Sequence, residues 1–194
     1  MSEEEFQALF ERHMELMRDE MRRKYHRVLP SGELIFNRFD KGKYLKCGEG
    51  SSVYDTCVVM GDVEIGDHVW VGPYTPLEGS NAHLRIGNFV SIDAGVMIYT
   101  HDSTKYYVSG GISPFESGDV SIGDYCVIGT MSMVGCNVRI GNHCVIGAHS
   151  YVNRDIPDYS IAAGVPARVI GRVVIEGENV RFEYDSHMDK GSSL

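Results

Sequence analysis

One histidine in this sequence stands where a regular pattern ends. Residues 97–102 read MIYTHD, so an apolar run typical of a buried strand finishes at His101 and Asp102, and the chain then enters STKYYVSGG, which a strand cannot continue. A neutral imidazole, whose ordinary pKa is near ~6.5, is suited to take up a proton close to neutral pH. His101 is therefore a candidate for proton transfer, and the elements around it must position it.

A repeat of six residues surrounds this break. Aliphatic residues recur at that spacing in three runs, which are Val53, Val59, Ile65, Val71 and Leu77; Ile86, Ile92 and Ile98; and Ile122, Ile128, Val134, Ile140, Ile146 and Val152. A helix repeats near 3.6 residues and a strand near 2, so neither explains the pattern. A solenoid does, with three six-residue sides to a coil and the aliphatic side chains facing its axis. The fourteen units predict nearly five coils.

Two interruptions break the repeat. Nine residues separate Leu77 from Ile86, so we expect EGSNAH, residues 78–83, to bulge outward. Twenty-four residues, a multiple of six, separate Ile98 from Ile122, so the solenoid keeps its phase while residues 101–118 leave as a loop. A loop that leaves a rigid scaffold is a common place for functional residues.

The rest of the chain is divided as follows. Residues 1–30 form an N-terminal helix, with apolar residues at helical spacing and a capping box at Ser2 and Glu5. Residues 31–52 are a linker that contains a short strand at LIFNRF, residues 34–39. The solenoid domain covers residues 53–172, and residues 173–194 form a β-hairpin that ends in a mobile tail, SHMDKGSSL.

Composition excludes several classes of protein. The net charge of −9 argues against a nucleic-acid surface, and no apolar stretch is long enough to span a membrane. The N-terminus is charged where a secretory signal would be apolar, so we expect a cytoplasmic location. The five cysteines form no CxxC pair, which favours reduced, mostly buried thiols and indicates no metal site.

The repeated I-G-D/N-x-x-V/I-I-G pattern and the segment VNRDIPDYSIAAGVPARVIG resemble the hexapeptide-repeat acyltransferases, over residues 50–172. The resemblance implies an all-β solenoid, the left-handed parallel β-helix, with the N-terminal α-helix and the C-terminal hairpin as extensions. It further implies an acyl-CoA-dependent acetyltransferase that uses acetyl-CoA as cosubstrate and assembles as a homotrimer. The acceptor is expected to be a hydroxyl or amine of a sugar or sugar nucleotide, for polysaccharide or glycan biosynthesis.

The same resemblance assigns roles to individual residues. A histidine at the root of the extruded loop is the general base in these enzymes, and His101 matches it, with Asp102 beside it as a possible orienting group. Cofactor contacts are implied for residues in the last coils, which are Thr130, Ala148, Asn153, Arg154 and Arg168. The acceptor is expected near the loop and the bulge, at Tyr74, Glu78, Asn81, Lys105 and Tyr106.

Three alternatives stay open. A streptogramin-type antibiotic acetyltransferase shares the loop and the histidine. A γ-type carbonic anhydrase uses the same coil with a zinc ion held by three histidines between subunits, for which His101, His143 and His149 are candidates in number. A non-catalytic trimeric scaffold would keep the solenoid for assembly alone.

Overall fold

The structure is a computed structural model that describes residues 1–185 of the chain. The predicted tail, SHMDKGSSL, lies outside the described residues. The described helices are α1 (Glu3–Tyr25), α2 (Ser31–Ile35), α3 (Arg38–Tyr44) and α4 (Thr104–Val108). The strands are β1 (Ser52–Val53), β2 (Val58–Ile65), β3 (Trp70–Val71), β4 (Pro76–Ile86), β5 (Ser91–Ile92), β6 (Met97–Tyr99), β7 (His101–Asp102), β8 (Glu116–Ser117), β9 (Val120–Ile122), β10 (Val127–Ile128), β11 (Met133–Val134), β12 (Val138–Ile140), β13 (Val145–Ile146), β14 (Tyr151–Val152), β15 (Ser160–Ala163), β16 (Arg168–Glu176) and β17 (Asn179–Tyr184).

Parallel strands stack on three sides of a prism. One side carries β1, β3, β5, β10, β13 and β15 in that order, and the other two sides share a sheet through the long strand β4. The predicted fold class is confirmed: this is a parallel β-solenoid, consistent with the left-handed β-helix, with N-terminal helices and a C-terminal hairpin. It has about six turns, one more than predicted. The end coils were undercounted because they lack the aliphatic-glycine signature.

The repeat forms the core. All fourteen aliphatic residues of the six-residue series point inward, and every one except the half-buried Val59 is buried. The register confirms that coils stack directly, because Val134 of β11 pairs with Ile98 of β6 below and Val152 of β14 above. Each coil therefore covers the apolar surface of its neighbour, and this burial is the main source of the solenoid's stability.

A column of Asp and Asn side chains joins the coils at one corner. We call it the Asx ladder, and its members are Asp67, Asn88, Asp124, Asn142 and Asp158. The Oδ1 atom of each accepts a backbone N–H from the coil below; Asp124, for example, accepts from Asn88 N at 2.7 Å. The glycine before each Asx leaves room for this oxygen, since a Cβ at Gly123 would lie 2.6 Å from Asn142 Oδ1. The ladder satisfies backbone donors that turn corners would otherwise leave unpaired.

A stack of rings follows the Asx ladder along the same corner. The residue after each Asx has a positive φ, between 53° and 60°, and these residues are His68, Phe89, Tyr125, His143 and Tyr159. Successive ring centroids lie 4.5 to 5.6 Å apart. His68 and His143 therefore belong to this corner stack, far along the coil from the loop root.

The first interruption differs from its prediction. EGSNAH does not bulge outward throughout, because residues 76–86 form the continuous strand β4, with a register shift against β2 between Gly61 and Val63. Glu78, at the start of the segment, is buried, while Ser80 and Asn81 are exposed. The correction follows from strand pairing: the hydrogen bonds of β4 to β2 continue through the extra residues and hold them along the prism.

The second interruption is a loop with an ordered root. The chain leaves at His101–Asp102 and returns at Glu116–Ser117, and these two short strands pair antiparallel as β7 and β8. Helix α4 lies within the loop. The next coil then resumes in phase, with Val120 of β9 paired to Leu84 of β4.

The N-terminal region is helical beyond the predicted helix. The capping box at Ser2 and Glu5 is present at the start of α1. The predicted strand at residues 34–39 is wrong, because α2 and α3 occupy this segment. Asn37 is the reason: its side chain accepts the backbone N–H of Phe39 at 2.8 Å and caps α3, an option a β-pattern reading ignores.

The C-terminal hairpin consists of β16 and β17, which pair antiparallel from Gly171 and Tyr184 to Glu176 and Asn179. Strand β16 also pairs with β15 of the last coil, so the hairpin continues the sheet at that end. All five cysteines are free thiols, and three of them are buried.

Replacing Asp124 by alanine should destabilise the solenoid. The change leaves the Asn88 backbone N–H without its acceptor, and an unsatisfied buried donor costs about 1–3 kcal/mol. Denaturant unfolding at neutral pH measures the loss. Asp19→Ala, at an exposed site on α1, is the matched control and should change stability by less than about 0.5 kcal/mol. Equal effects of the two substitutions would contradict a stabilising ladder.

Candidate functional site

His101 lies at the root of the loop, where β6 ends at a corner of the prism. Strand β7 holds its backbone through the pairing with Ser117, and about three quarters of its side chain is covered, since 24% is exposed. The sequence places it there because Thr100, the preceding residue, is fully buried and ends the core run. The imidazole is thus fixed at the surface of a rigid coil.

A buried carboxylate contacts the ring. Nδ1 of His101 lies 2.8 Å from Oε2 of Glu78, which belongs to β4 on the coil below. An ionised carboxylate can only accept, so Nδ1 carries the proton and donates it to Glu78. In the neutral imidazole, Nε2 then has the free lone pair. This is the tautomer that a general base needs.

Glu78 is held by several donors. Its Oε2 also accepts from the backbone N–H and the hydroxyl of Thr100, both at 3.2 Å, and its Oε1 accepts from Ser80 N at 2.6 Å. Burial raises the pKa of the Glu78 carboxyl, but the hydrogen bonds from His101, Ser80 and Thr100 outweigh it and lower the pKa from 4.5 to about 2. Glu78 is therefore ionised at neutral pH and can fix the imidazole.

Aromatic rings enclose the other faces of His101. Phe115, which the loop brings back to its root, stacks on the imidazole with centroids 5.7 Å apart and planes 12° apart. Tyr106 of α4 lies edge-on to Phe115 at 4.9 Å, and Tyr99 lies edge-on to His101 at 6.4 Å. These rings restrict the imidazole and provide a flat apolar wall beside it.

Asp102 has a different partner from the one predicted. Its Oδ1 accepts the backbone N–H of Thr104 at 2.7 Å, at the start of α4, and this bond is the largest cause of its lowered pKa. The carboxylate hydrogen-bonded to the imidazole is Glu78, predicted as an acceptor contact. Because Asp102 is exposed and shapes the loop, we do not carry a catalytic role for it into the proposal below.

The predicted acceptor residues divide into two groups. Lys105 and Tyr106 lie on the loop near His101, where Lys105 pairs with Glu116, and Asn81 lies exposed on β4. Tyr74 is exposed at the corner before β4, whereas His101 lies at the corner beyond it. One chain therefore does not bring Tyr74 to the imidazole.

The predicted cofactor residues are all exposed and divide in the same way. Thr130 and Ala148 are stacked on successive coils at the corner that carries Tyr74, where Thr130 O accepts from His149 N at 2.9 Å. Asn153 and Arg154 follow β14, on the corner of His101 and two coils above it. Arg168 opens β16, and its Nη1 donates to Ala167 O at 2.7 Å.

No group of three His, Cys, Asp or Glu side chains within residues 1–185 has the geometry to hold a metal ion. In the same residues, no helix has the length and hydropathy needed to cross a membrane.

Comparisons with known proteins agree with this geometry. The family model described as bacterial transferase hexapeptide (six repeats) matches residues 119–154. The fold, the repeat and this match confirm the predicted class: the chain is a hexapeptide-repeat protein of the left-handed β-helix acyltransferase superfamily.

Particular relatives narrow the class. A dTDP-4-amino-4,6-dideoxy-D-glucose acyltransferase from Escherichia coli is 29% identical over 148 residues, which cover 68% of this chain and 76% of the relative. A mutant of AntD, an N-acyltransferase from Bacillus cereus solved with dTDP and coenzyme A, is 26% identical with a TM-score of 0.60, over 65% of this chain and 72% of that one. The acetyltransferase domain of PglB from Neisseria gonorrhoeae, solved with acetyl coenzyme A, is 25% identical with a TM-score of 0.50, over 64% of this chain and 51% of that one.

Glu78 should make folding stability depend on acid pH. Its folded-state pKa lies below the ordinary value, so its contribution is present above about pH 4.5 and is lost as the pH falls towards 2. The contribution is at most about 3 kcal/mol. Unfolding free energies at about pH 6 and about pH 3 should differ more in the unmodified protein than in Glu78→Gln. The exposed Glu178→Gln is the control, and a Glu78→Gln variant with the unmodified protein's pH dependence would refute the assignment.

Proposed function

We propose that this protein transfers an acetyl group from acetyl-CoA to the amino group of a nucleotide-linked amino sugar, with His101 as general base. The observation that carries the proposal is the His101–Glu78 hydrogen bond at the root of the loop. The predictions of an acyl-CoA-dependent enzyme and of acetyl-CoA as cosubstrate are confirmed at the level of class, because the relatives are acyltransferases and their structures hold coenzyme A or acetyl-CoA.

The reaction needs a base at one point. The acceptor nitrogen attacks the thioester carbonyl carbon, so a C–N bond forms and the C–S bond breaks. The nitrogen must lose a proton, which Nε2 of neutral His101 accepts, and the imidazolium can return a proton to the departing thiolate. Glu78 does not touch the substrate; it is a positioning residue that keeps the proton on Nδ1 and stabilises the imidazolium. A backbone N–H at a coil corner is suited to hold the oxygen that becomes negative.

The acceptor class follows from the wall beside His101 and from the relatives. Tyr106 and Phe115 offer ring faces and edges against which a sugar or base can pack. The Escherichia coli relative acts on a dTDP-linked amino sugar, and the Bacillus cereus N-acyltransferase holds dTDP. An amine on a sugar nucleotide is thus favoured over a plain sugar or a streptogramin. Polysaccharide or glycan biosynthesis, in the cytoplasm, is the pathway that consumes such a product, and we include it in the proposal.

A homotrimer is part of the same proposal. Thr130 and Ala148 lie on one corner of the prism, while His101, Asn153 and Arg154 lie on another. A thioester that reaches all of them must lie between one copy's first corner and a neighbouring copy's second. Arg154 and Arg168 then supply forked donors for the phosphates of coenzyme A.

Thiol release from acetyl-CoA tests the reaction. We expect turnover with one of a panel of dTDP- and UDP-linked amino sugars, and His101→Ala should lower kcat/KM by about 10²–10⁴-fold because the base is lost. His13→Ala, on the exposed surface of α1, is the matched control and should retain full activity. Plain amino sugars and streptogramins complete the panel. Turnover that survives in His101→Ala would exclude this histidine as the base, and preferred turnover of a streptogramin would favour the antibiotic acetyltransferase.

Cofactor recognition is tested separately. Arg154→Gln and Arg168→Gln should each raise KM for acetyl-CoA by about tenfold or more, since a hydrogen bond between charged groups contributes about 1.5–3 kcal/mol. The KM for the acceptor should stay the same. Arg12→Gln, on exposed α1, is the control for the loss of one positive charge. Steady-state kinetics with each substrate varied in turn distinguishes the two constants, and unchanged KM values for acetyl-CoA would remove both arginines from the site.

A further inference from the structure

A second cavity lies between the N-terminal helices and the first coil, away from His101. Its volume is about 390 Å³, and we call it the cap cavity. The end of α1, the segment that follows it, α2, α3 and Tyr54 form its walls. Most of the wall is apolar, from residues that include Met21, Leu29, Leu34 and Phe39. The proposed acetyl transfer uses no residue of this cavity.

Two arginines meet inside it. Arg27 Nη2 and Arg38 Nη1 both donate to the phenol oxygen of Tyr54, the second at 2.9 Å. Both guanidinium groups also lie near the face of the Tyr54 ring, with their carbon atoms 5.8 and 5.3 Å from its centroid. Both arginines are half-buried, and Tyr54 is buried. Two like charges so close together repel each other in a partly desolvated site.

No carboxylate neutralises this pair within residues 1–185, where neither arginine forms an ion pair. Glu33 is the acidic residue on the described cavity wall, and its Oε1 instead accepts from the N–H and the hydroxyl of Thr56, at 3.0 and 3.1 Å. Lys41 adds a third positive charge nearby, since its Nζ donates to the backbone carbonyls of Tyr54, Asp55 and Cys57. Half-buried cations are usually paired, so the cavity lacks an anion.

The Tyr54 hydroxyl indicates where that anion would bind. The hydrogen bonds of residues 1–185 use its oxygen only as an acceptor, from Arg27 and Arg38, so its own O–H is left to donate. Each guanidinium has five N–H donors and uses one of them on Tyr54. Donors from three side chains therefore converge on one part of the cavity, a geometry that suits an oxyanion.

The charge distribution favours an anion at this end of the chain. Nine of the eighteen lysines and arginines lie between residues 18 and 46, against four acidic residues in the same stretch, although the whole chain carries a net charge of −9. A local positive region on an acidic protein attracts anions towards it.

We infer that the cap cavity binds a small phosphate monoester, whose phosphate pairs with Arg27, Arg38 and the Tyr54 hydroxyl while its apolar body packs on the wall formed by α2 and α3. A dianionic phosphate matches the two guanidinium charges and their forked donors better than a carboxylate does. The bound phosphate would join the segment after α1 to α3 and to the first coil.

The chain contains its own reporter for this binding. Trp70 is its single tryptophan, and its ring lies edge-on to Tyr54 with centroids 5.9 Å apart. Titration with phenyl phosphate, followed by tryptophan fluorescence with coenzyme A in excess, reports on the cap cavity while the proposed thioester site is filled. We expect a saturable change, with affinity at least about tenfold above that for inorganic phosphate, phenylacetate or benzyl alcohol.

Variants separate the site from general electrostatics. Arg27→Gln and Arg38→Gln should each weaken phenyl phosphate binding by about tenfold or more, and Arg38→Lys should weaken it less because the charge is kept. Arg23→Gln, on exposed α1, removes the same charge outside the cavity and should bind as the unmodified protein does. Tyr54→Phe keeps the ring and should also weaken binding, and circular dichroism checks that each variant is folded.

Several results would overturn the inference. These are a fluorescence change reproduced by sodium chloride at equal ionic strength, equal losses in Arg23→Gln and Arg38→Gln, and no saturable change with phenyl phosphate. Release of the signal by excess coenzyme A would move the phosphate to the thioester site instead. Tighter binding to vesicles of anionic lipid than to phenyl phosphate, lost in Arg27→Gln, would make the region a membrane-binding surface. None of these outcomes depends on whether acetyl transfer is observed.

Discussion

The direct stacking of one coil on the next is the constraint on which this structure depends. A six-residue side can vary in every position except those that face the axis or turn the corner, because the aliphatic column and the Asx ladder repeat from coil to coil. Insertions are tolerated only where the column resumes in register. The pairing of Ile98 with Val134 and of Ile86 with Ile122 shows that the large loop meets this condition.

The same constraint explains why the site forms where it does. A chain that leaves the prism at a corner must end its buried run with residues that tolerate partial exposure, and here these are Thr100 and His101. The coil below supplies the partner, since β4 pairs with β6 so that Glu78 lies beside Tyr99 and accepts from Thr100. A buried carboxylate is costly unless it is fully hydrogen-bonded, and the two residues that follow Tyr99 provide much of that bonding. The imidazole and its positioning carboxylate are therefore consequences of strand register.

The sequence could predict the solenoid because its signal is periodic, and it could place His101 because the break in a periodic signal is easy to find. Glu78 was harder, since nine residues separate Leu77 from Ile86 and the segment between them reads as a polar bulge. Aligning Leu77 with Ile98 as stacked positions would have placed Glu78 beside the loop root. The role of Asp102 depended on which backbone N–H its side chain would reach, and the helix that starts at Thr104 has no strong sequence signal. Residues 34–39 failed for a similar reason, because a single Asn cap decided between strand and helix.

The N-terminal region obeys different rules from the solenoid, and this difference is informative. Helix α1 buries only Met14 among its described residues and exposes Phe6, Leu9 and Leu16, so its own packing does not account for its apolar stripe. The segment after it is tied to the first coil through polar groups, with Arg27 and Arg38 on Tyr54 and Lys41 on three carbonyls. A stable solenoid needs its first coil covered, but apolar side chains would cover it at lower cost than unpaired cations do. Covering the coil therefore does not by itself require this cluster of positive charge, and the binding of an anion supplies the reason that packing lacks.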